Sequence, residues 1–291
     1  MSTPPGGTQV RVRWLGTAGH VIEAAGTTVL IDPFLTRPSL LRTAALPLRP
    51  TPDIWWKWLP PEVDAILVGH SHYDHLMDAP VIARRTGATL VGSRSTARFA
   101  RAEGVPEAQI REVPPEGGEL AVGPLRVRFI RSLHGRIAAG RVPFDGEAAE
   151  APRLPARAWH YRMGGAFGLH VEAPGLSVYH NGSADLVDVA LRDVRADVVL
   201  AGLAGRQATP RYLERLLSAL RPKVVVPTHH DFFFRPLEAG PRLLPGVDLE
   251  GFVAEVGRID PAAAIRMPTY EDVLHVPSDG APATGAVVSP R

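Results

Sequence analysis

The segment His70-Ser71-His72-Tyr73-Asp74-His75 holds three of the eleven histidines of this 291-residue chain within six positions. It follows Val63-Asp-Ala-Ile-Leu-Val68, an apolar run that predicts a short buried strand. A loop leaving a strand end can turn successive side chains toward one point. We therefore expect the first two histidines to share a metal ion, and the aspartate and last histidine to reach a second ion beside it. Such a pair, about 3.5–4 Å apart, can hold a hydroxide between its ions.

Other predicted strands are also followed by residues able to bind metal. His134 follows the run 125–130, Asp185 follows 176–179, and His229 follows 223–226. Four strand ends that each offer a ligand are a stronger signal than any single histidine. The candidate ligands are His70, His72, Asp74, His75, His134, Asp185 and His229. These ligand types favour zinc, with two ions expected, and they also suit manganese and iron.

The rest of the chain alternates short β-type runs with helical patterns, which predicts one domain over 9–276 between loose tails at 1–8 and 277–291. Further strands are predicted at 10–15, 21–23, 28–31, 89–91, 166–171 and 198–200. Helices are predicted at 79–86, from a Ser95 cap to Glu103, from a Thr209 cap to Pro222, and near 252–256. The segments 33–61 and 135–165 read as long loops.

The ligand order resembles that of the metallo-β-lactamase superfamily. Three further segments are similar to its branch that contains L-ascorbate-6-phosphate lactonase: Trp14-Leu-Gly-Thr-Ala-Gly-His-Val-Ile-Glu23, Ile31-Asp-Pro-Phe34 and Val226-Pro-Thr-His-His-Asp-Phe232. The resemblance implies an αββα sandwich, in which two mixed β-sheets pack face to face with helices outside and metals at one edge. It assigns His70, His72 and His134 to one ion, and Asp74, His75 and His229 to the other.

One position departs from the family pattern. The family has Gly-Asp where this chain has Gly182-Ser183, and its aspartate bridges both metals. A neutral hydroxyl is a poor substitute for a carboxylate. Either Asp185 reaches in by a different turn, or the site holds one ion or an unequal pair.

Several other side chains have two interpretations each. His230 is a candidate proton donor to a leaving group, or a structural histidine. Asp32 is a candidate for orienting a ligand histidine, or a turn residue. Trp55, Trp56 and Phe232 are candidates for binding an apolar part of a substrate, or for packing the loop 33–61 and subunit contacts.

Composition limits the binding partners and metal ligands that the chain is expected to have. The formal net charge is +2 and the arginines are scattered, so no nucleic-acid-binding face is expected. There is no cysteine for thiolate ligands. No apolar run of membrane-spanning length and no signal-peptide pattern is apparent, so a cytoplasmic location is expected. The oligomeric state is not indicated.

The expected activity is hydrolysis of a small ester, lactone or phosphodiester by a metal-bound hydroxide, with Asp74 accepting a hydrogen bond from that hydroxide. Two alternatives stay open. One is a nucleic-acid-processing nuclease of the same superfamily. The other is a non-hydrolytic protein on this scaffold, either an iron redox enzyme or a metal-binding module.

Overall fold

The strands form two seven-stranded mixed sheets in a computed structural model that describes residues 9–137 and 140–277. The first sheet has the order β14-β1-β2-β3-β4-β5-β6. Its strands are β1 (Gln9–Trp14), β2 (His20–Ala24), β3 (Thr27–Ile31), β4 (Ala65–Leu67), β5 (Thr89–Gly92), β6 (Ile110–Glu112) and β14 (Val273–Pro277). Pairing is antiparallel from β14 to β3 and parallel from β3 to β6.

The second sheet repeats this arrangement with the order β13-β12-β11-β10-β9-β8-β7. Its strands are β7 (Gly117–Val122), β8 (Leu125–Ser132), β9 (Ala166–Ala173), β10 (Leu176–Asn181), β11 (Val198–Gly202), β12 (Val224–Thr228) and β13 (Ala264–Ile265). Strands β7 to β10 are antiparallel and β10 to β13 are parallel. In both sheets the parallel strands are short and, apart from the partly exposed edge strand β6, mostly apolar, as expected for strands covered on both faces.

Six α-helices accompany the sheets in the described residues. They are α1 (Leu40–Ala45), α2 (Tyr73–Leu76), α3 (Ala79–Thr86), α4 (Arg94–Ala102), α5 (Tyr212–Leu220) and α6 (Leu249–Ile259). None of these helices is long and apolar enough to cross a membrane.

Three apolar clusters divide the interior into layers. One lies between the sheets and includes Ile22, Leu67 and Leu200. The second lies outside the first sheet under α3 and α4, and the third lies outside the second sheet under α5 and α6. The predicted αββα sandwich is therefore confirmed.

Some local predictions were wrong at helix starts. Ser93, not Ser95, caps α4, because its side chain accepts from the amide of Thr96. Helix α5 begins at Tyr212 after a left-handed Arg211, and the buried Thr209 hydroxyl has no hydrogen-bond partner. Because a proline in the first turn is compatible with several capping positions, the sequence pattern alone did not determine the first residue of α5.

The chain ends also differ slightly from expectation. Pro277 pairs with Gln9 and ends β14, so the folded part extends one residue beyond the predicted boundary. The rest of the expected tails, 1–8 and 278–291, lies outside the described residues. The loop 33–61 contains the short helix α1.

The core between the sheets yields a first prediction. Leu200 is fully buried there, whereas Leu41 is 82% exposed. Leu200→Ala should lower the free energy of unfolding by about 2–5 kcal/mol, because it removes buried methyl groups and leaves a cavity. Leu41→Ala should change it by less than about 0.5 kcal/mol. Urea titration measures both, and equal losses would contradict the layer assignment.

Candidate metal centre

The histidine-rich segment leaves the end of β4 and turns directly into α2. His72 is the residue before that helix, so Asp74 and His75 lie within its single turn. Both are buried, as is His70. Parallel pairing of β3 with β4, and of β11 with both β10 and β12, brings several strand ends to one edge of the sandwich. The sequence prediction that ligands come from strand ends is consistent with this topology.

His70, His72 and His134 form the first of two groups that have metal-ligand geometry. One ring nitrogen of each lies within 4.8 Å of the others. Their ring centroids are 4.7–4.8 Å apart. The Nε2 atoms of His70 and His72 are buried without a hydrogen-bond partner. A buried nitrogen without a partner is costly, so these atoms are suited to an ion.

Asp74, His75 and His229 form the second group, again within 4.8 Å. Oδ2 of Asp74 lies 3.3 Å from Nε2 of His229 and 3.8 Å from Nε2 of His75. The groups are adjacent, because the rings of His70 and His75 have centroids 3.7 Å apart. The structure thus brings together six of the seven predicted ligands in the division that the family resemblance implied.

The first group consists of neutral imidazoles. Burial lowers the pKa of His72 to about 4 and that of His134 to about 3. Burial and the neighbouring imidazoles hold the pKa of His70 well below its usual range. These nitrogens therefore carry free lone pairs at neutral pH, which is the form that binds metal.

The second group carries the negative charge. Burial alone would raise the pKa of Asp74, but His75 and His229 outweigh it and hold that pKa below its usual range. Burial also opposes the charged form of His75, yet the carboxylates of Asp32 and Asp74 raise its pKa. The two groups therefore differ in that only the second contains a carboxylate.

Asp32 lies behind the second group, where the sequence analysis placed it as one of two interpretations. Its Oδ2 accepts a hydrogen bond from Nδ1 of His75 at 2.8 Å, and its Oδ1 accepts from the amide of Gly69 at 2.7 Å. A proton fixed on Nδ1 leaves Nε2 of His75 free to face Asp74. Asp32 therefore orients a candidate ligand.

Two further buried histidines lie beside Asp32. Nδ1 of His20 and Nε2 of His180 both donate to the carbonyl of Ala18, at 3.1 and 2.9 Å. The other nitrogen of each ring is buried without a partner. A Cβ on Gly182 would come within 2.6 Å of His180 and 3.0 Å of Asp32, so only glycine allows this close approach.

Asp185, one of the seven candidate ligands, lies apart from both groups. Its carboxylate accepts from its neighbour Leu186 and pairs with Arg215 at 3.3 Å, and it joins neither ligand group. The nearby Ser183 instead lines the cavity in front of the site, where its Oγ accepts from the amide of Gly135. No second carboxylate thus replaces the family aspartate among the described residues of the two groups.

The position of His230 does not fit the role of proton donor considered for it and fits the structural alternative. Its ring stacks on Trp14 with centroids 4.5 Å apart, and burial lowers its pKa to about 4. It is not among the residues that line the cavity. The left-handed backbone of His229, with φ of +51°, separates the directions of the two adjacent histidines.

The cavity in front of the two groups has a volume of about 640 Å³. Of the three aromatics predicted to bind substrate, Phe232 lines it. Trp55 and Trp56 do not: Trp55 is fully buried in the core and donates to Thr36, and Trp56 is half exposed beside Arg85. A cluster of tryptophans in a sequence does not reveal which of them faces a cleft.

Sequence reasoning missed a buried polar network that supports His229. Arg37 pairs with Asp231 at 2.7 Å with both side chains fully buried, and Tyr270 donates to the same carboxylate at 2.7 Å. The other Asp231 oxygen accepts from the amide of Thr17, whose carbonyl accepts from the amide of His229. The network thus holds the unusual backbone at a candidate ligand.

A model of the β-lactamase superfamily domain matches residues 11–229. The chain belongs to the metallo-β-lactamase superfamily. Within it, a UPF0173 metal-dependent hydrolase from Methanopyrus kandleri is 30% identical over 258 residues, which cover 85% of this chain and 98% of the relative. A relative of the same description from Pyrobaculum arsenaticum is 31% identical over 229 residues, covering 77% of this chain and 85% of the relative.

A solved structure supports the superfamily fold independently. Igni18, a metallo hydrolase from Ignicoccus hospitalis, superimposes with a TM-score of 0.64 at 20% identity, and the match covers 92% of this chain and 99% of that one. At this identity the likeness concerns the fold alone.

The contact between Asp32 and His75 yields a second prediction. Asp32→Asn keeps the shape and removes the charge, so affinity for Zn²⁺ should fall about 10–100-fold. Asp64→Asn is the matched control, since Asp64 accepts from the Thr28 amide on the exposed surface. Competition with a chelator measures both. Unchanged affinity in the Asp32 variant would show that the carboxylate does not support a ligand.

The buried pair His20 and His180 yields a pH prediction. Burial lowers both pKa values to about 3, so the unfolded chain binds their protons first as pH falls. The stabilising effect of the two neutral rings is complete above pH ~6.5, the pKa of histidine in the unfolded chain. It is lost as the pH falls toward the folded-state pKa of about 3. The free energy of unfolding of the metal-free protein falls as the pH is lowered. In the His180→Gln variant this fall should be smaller by about 1.4 kcal/mol per pH unit between roughly pH 6 and 4. An unchanged slope in urea titrations would refute this.

Proposed function

We propose that this protein is a metal-dependent hydrolase that uses an activated water on a small ester, lactone or phosphodiester. The observation that carries the proposal is the pair of adjacent ligand groups that opens onto one cavity. His72, Asp74, His134 and His229 belong to the groups and also line the cavity. A molecule in the cavity is therefore in direct contact with the candidate metal site.

The donor set fits two divalent ions. The groups supply five imidazoles and one carboxylate, and two of the imidazole Nε2 atoms are buried without a partner. We propose zinc, since three protein ligands per ion leave a position free in tetrahedral coordination, while manganese or iron suits the same atoms. Such ions lower the pKa of a bound water and polarise the bond to be cleaved.

The chain's own residues have separate roles in this proposal. Asp74 Oδ2 lies 3.3 Å from Nε2 of His229 and the carboxyl stays ionised, so it can bind metal and accept a hydrogen bond from the attacking water. Asp32 fixes the proton of His75 on Nδ1. The second group has the only carboxylate of the described ligands, so we expect the two positions to hold metal with unequal affinity.

A substitution tests the proposal directly. His72→Ala removes a ligand of the first group, so metal content should fall by one ion per chain and turnover should fall at least 100-fold. Metal analysis of the purified protein and a panel of lactones, carboxylic esters and phosphodiesters measure these quantities. His160→Ala is the control, because His160 is exposed and lies outside both groups.

Two outcomes would contradict the proposal. One is full metal content and turnover in the His72 variant. The other is stoichiometric iron with oxygen-dependent turnover in the unmodified protein, which would favour redox chemistry on this scaffold.

A further inference from the structure

We propose that the cavity selects a neutral carboxylic ester or lactone whose acyl part is apolar, and that it rejects substrates with an anionic group remote from the reacting bond. The inference rests on the proposed hydrolytic function and narrows its substrate class. It concerns the walls of the cavity rather than the metal groups.

Most of the cavity lining beyond the ligand groups is apolar, and its polar members are Tyr73, Ser183 and Gln207. Phe144 and Phe233 lie close to the ligands, since Phe144 is 6.1 Å from His72 and Phe233 is 5.4 Å from His229 between ring centroids. The remaining apolar lining includes Ile137, Pro143, Phe232, Leu244, Pro245 and Val247. A site with a reactive polar face and apolar walls is suited to a molecule that has a polar reactive group at one end and an apolar part at the other.

Charge is the deciding feature. The chain has 32 lysines and arginines, yet none is among the described residues that line the cavity. Asp74 is the only carboxylate there, and it belongs to a ligand group. An anion buried away from the metals would lose its hydration without gaining a cationic partner, and that loss is costly.

Several arginines come near the lining without joining it, among them Arg136 and Arg242. Arg136 is exposed and precedes Ile137. The guanidinium carbon of Arg242 lies 5.9 Å from the ring centroid of Phe232. If either served an anionic substrate, its removal would weaken the binding of anions, so Arg136→Ala and Arg242→Ala are useful variants.

The size of the cavity allows a chain of several carbons beside the reacting carbonyl. Burying each methylene should improve kcat/KM about fourfold, which corresponds to about 0.8 kcal/mol, until the space is filled. In the reaction itself the water oxygen bonds to the carbonyl carbon and the acyl carbon–oxygen bond breaks. The leaving alcohol oxygen takes a proton, so the products are a carboxylic acid and an alcohol.

A matched pair of esters tests the inference in the metal-loaded protein. p-Nitrophenyl hexanoate and mono-p-nitrophenyl adipate have the same number of acyl carbons and differ in a terminal methyl or carboxylate. We expect kcat/KM for the adipate to be at least tenfold lower, and kcat/KM to rise along the series from acetate to hexanoate. Equal or faster hydrolysis of the adipate would overturn the inference, as would loss of adipate turnover on removal of Arg136 or Arg242.

Phe232 and Phe234 provide a matched pair of variants. Their rings are 5.4 Å apart, but only Phe232 lines the cavity. Phe232→Ala, or the milder Phe232→Leu, should flatten the dependence of kcat/KM on acyl length. Phe234→Ala should leave that dependence unchanged. The same flattening in both alanine variants would show that the aromatic cluster acts only through folding, and would contradict the assignment.

Binding without turnover separates the inference from the proposed function. 2-Octanone and 7-oxooctanoate are unreactive ketones that differ in the same terminal methyl or carboxylate. We expect the neutral ketone to bind at least tenfold more tightly, by titration calorimetry, even if no ester is cleaved. Turnover of esters with a preference for 7-oxooctanoate would overturn the inference and leave the hydrolytic function standing. Preference for 2-octanone without turnover of any ester would contradict the hydrolytic function and leave the inference about the cavity standing.

Discussion

The hydrogen bonds of the Asp32 carboxylate connect the fold to the candidate chemistry. Asp32 follows β3 and has a left-handed backbone with φ of +42°. One oxygen holds the amide of Gly69 at the start of the histidine segment, and the other holds His75. The parallel pairing of β3 with β4 makes this contact local in space although the residues are 43 positions apart. The sheet thus sets the direction in which a ligand nitrogen points.

The same constraint explains why the site needs an ion. The sandwich buries four imidazoles and partly buries a fifth, that of His134, at one edge, and burial keeps those of the first group neutral. Neutral rings with unpartnered nitrogens lose hydration and gain nothing in return. Metal coordination removes that cost, so the arrangement that destabilises the metal-free protein is the arrangement that binds metal. The cavity beside it is lined largely by apolar side chains, which select the substrate in our proposal.

The sequence predicted the features that depend on local pattern. Buried parallel strands such as β4 and β12 are continuous apolar runs, and ligands at their ends follow from topology. It did not predict contacts between distant segments. Arg215 pairs with Asp185 from a helix 30 positions away, and Arg37 reaches Asp231 across 194 positions. Nor did the tryptophan cluster reveal that Trp55 faces the core, because irregular loops have no periodicity to mark their inner face.

The central claim is that two ions are bound by the two groups at this edge. Anomalous diffraction from crystals of the zinc-loaded protein, measured at the zinc absorption edge, tests it most directly. The account predicts two peaks, one in contact with His70, His72 and His134 and one in contact with Asp74, His75 and His229. The account requires both peaks, although the two occupancies are expected to differ. Zinc bound only elsewhere, or coordinated by Asp185, would contradict it.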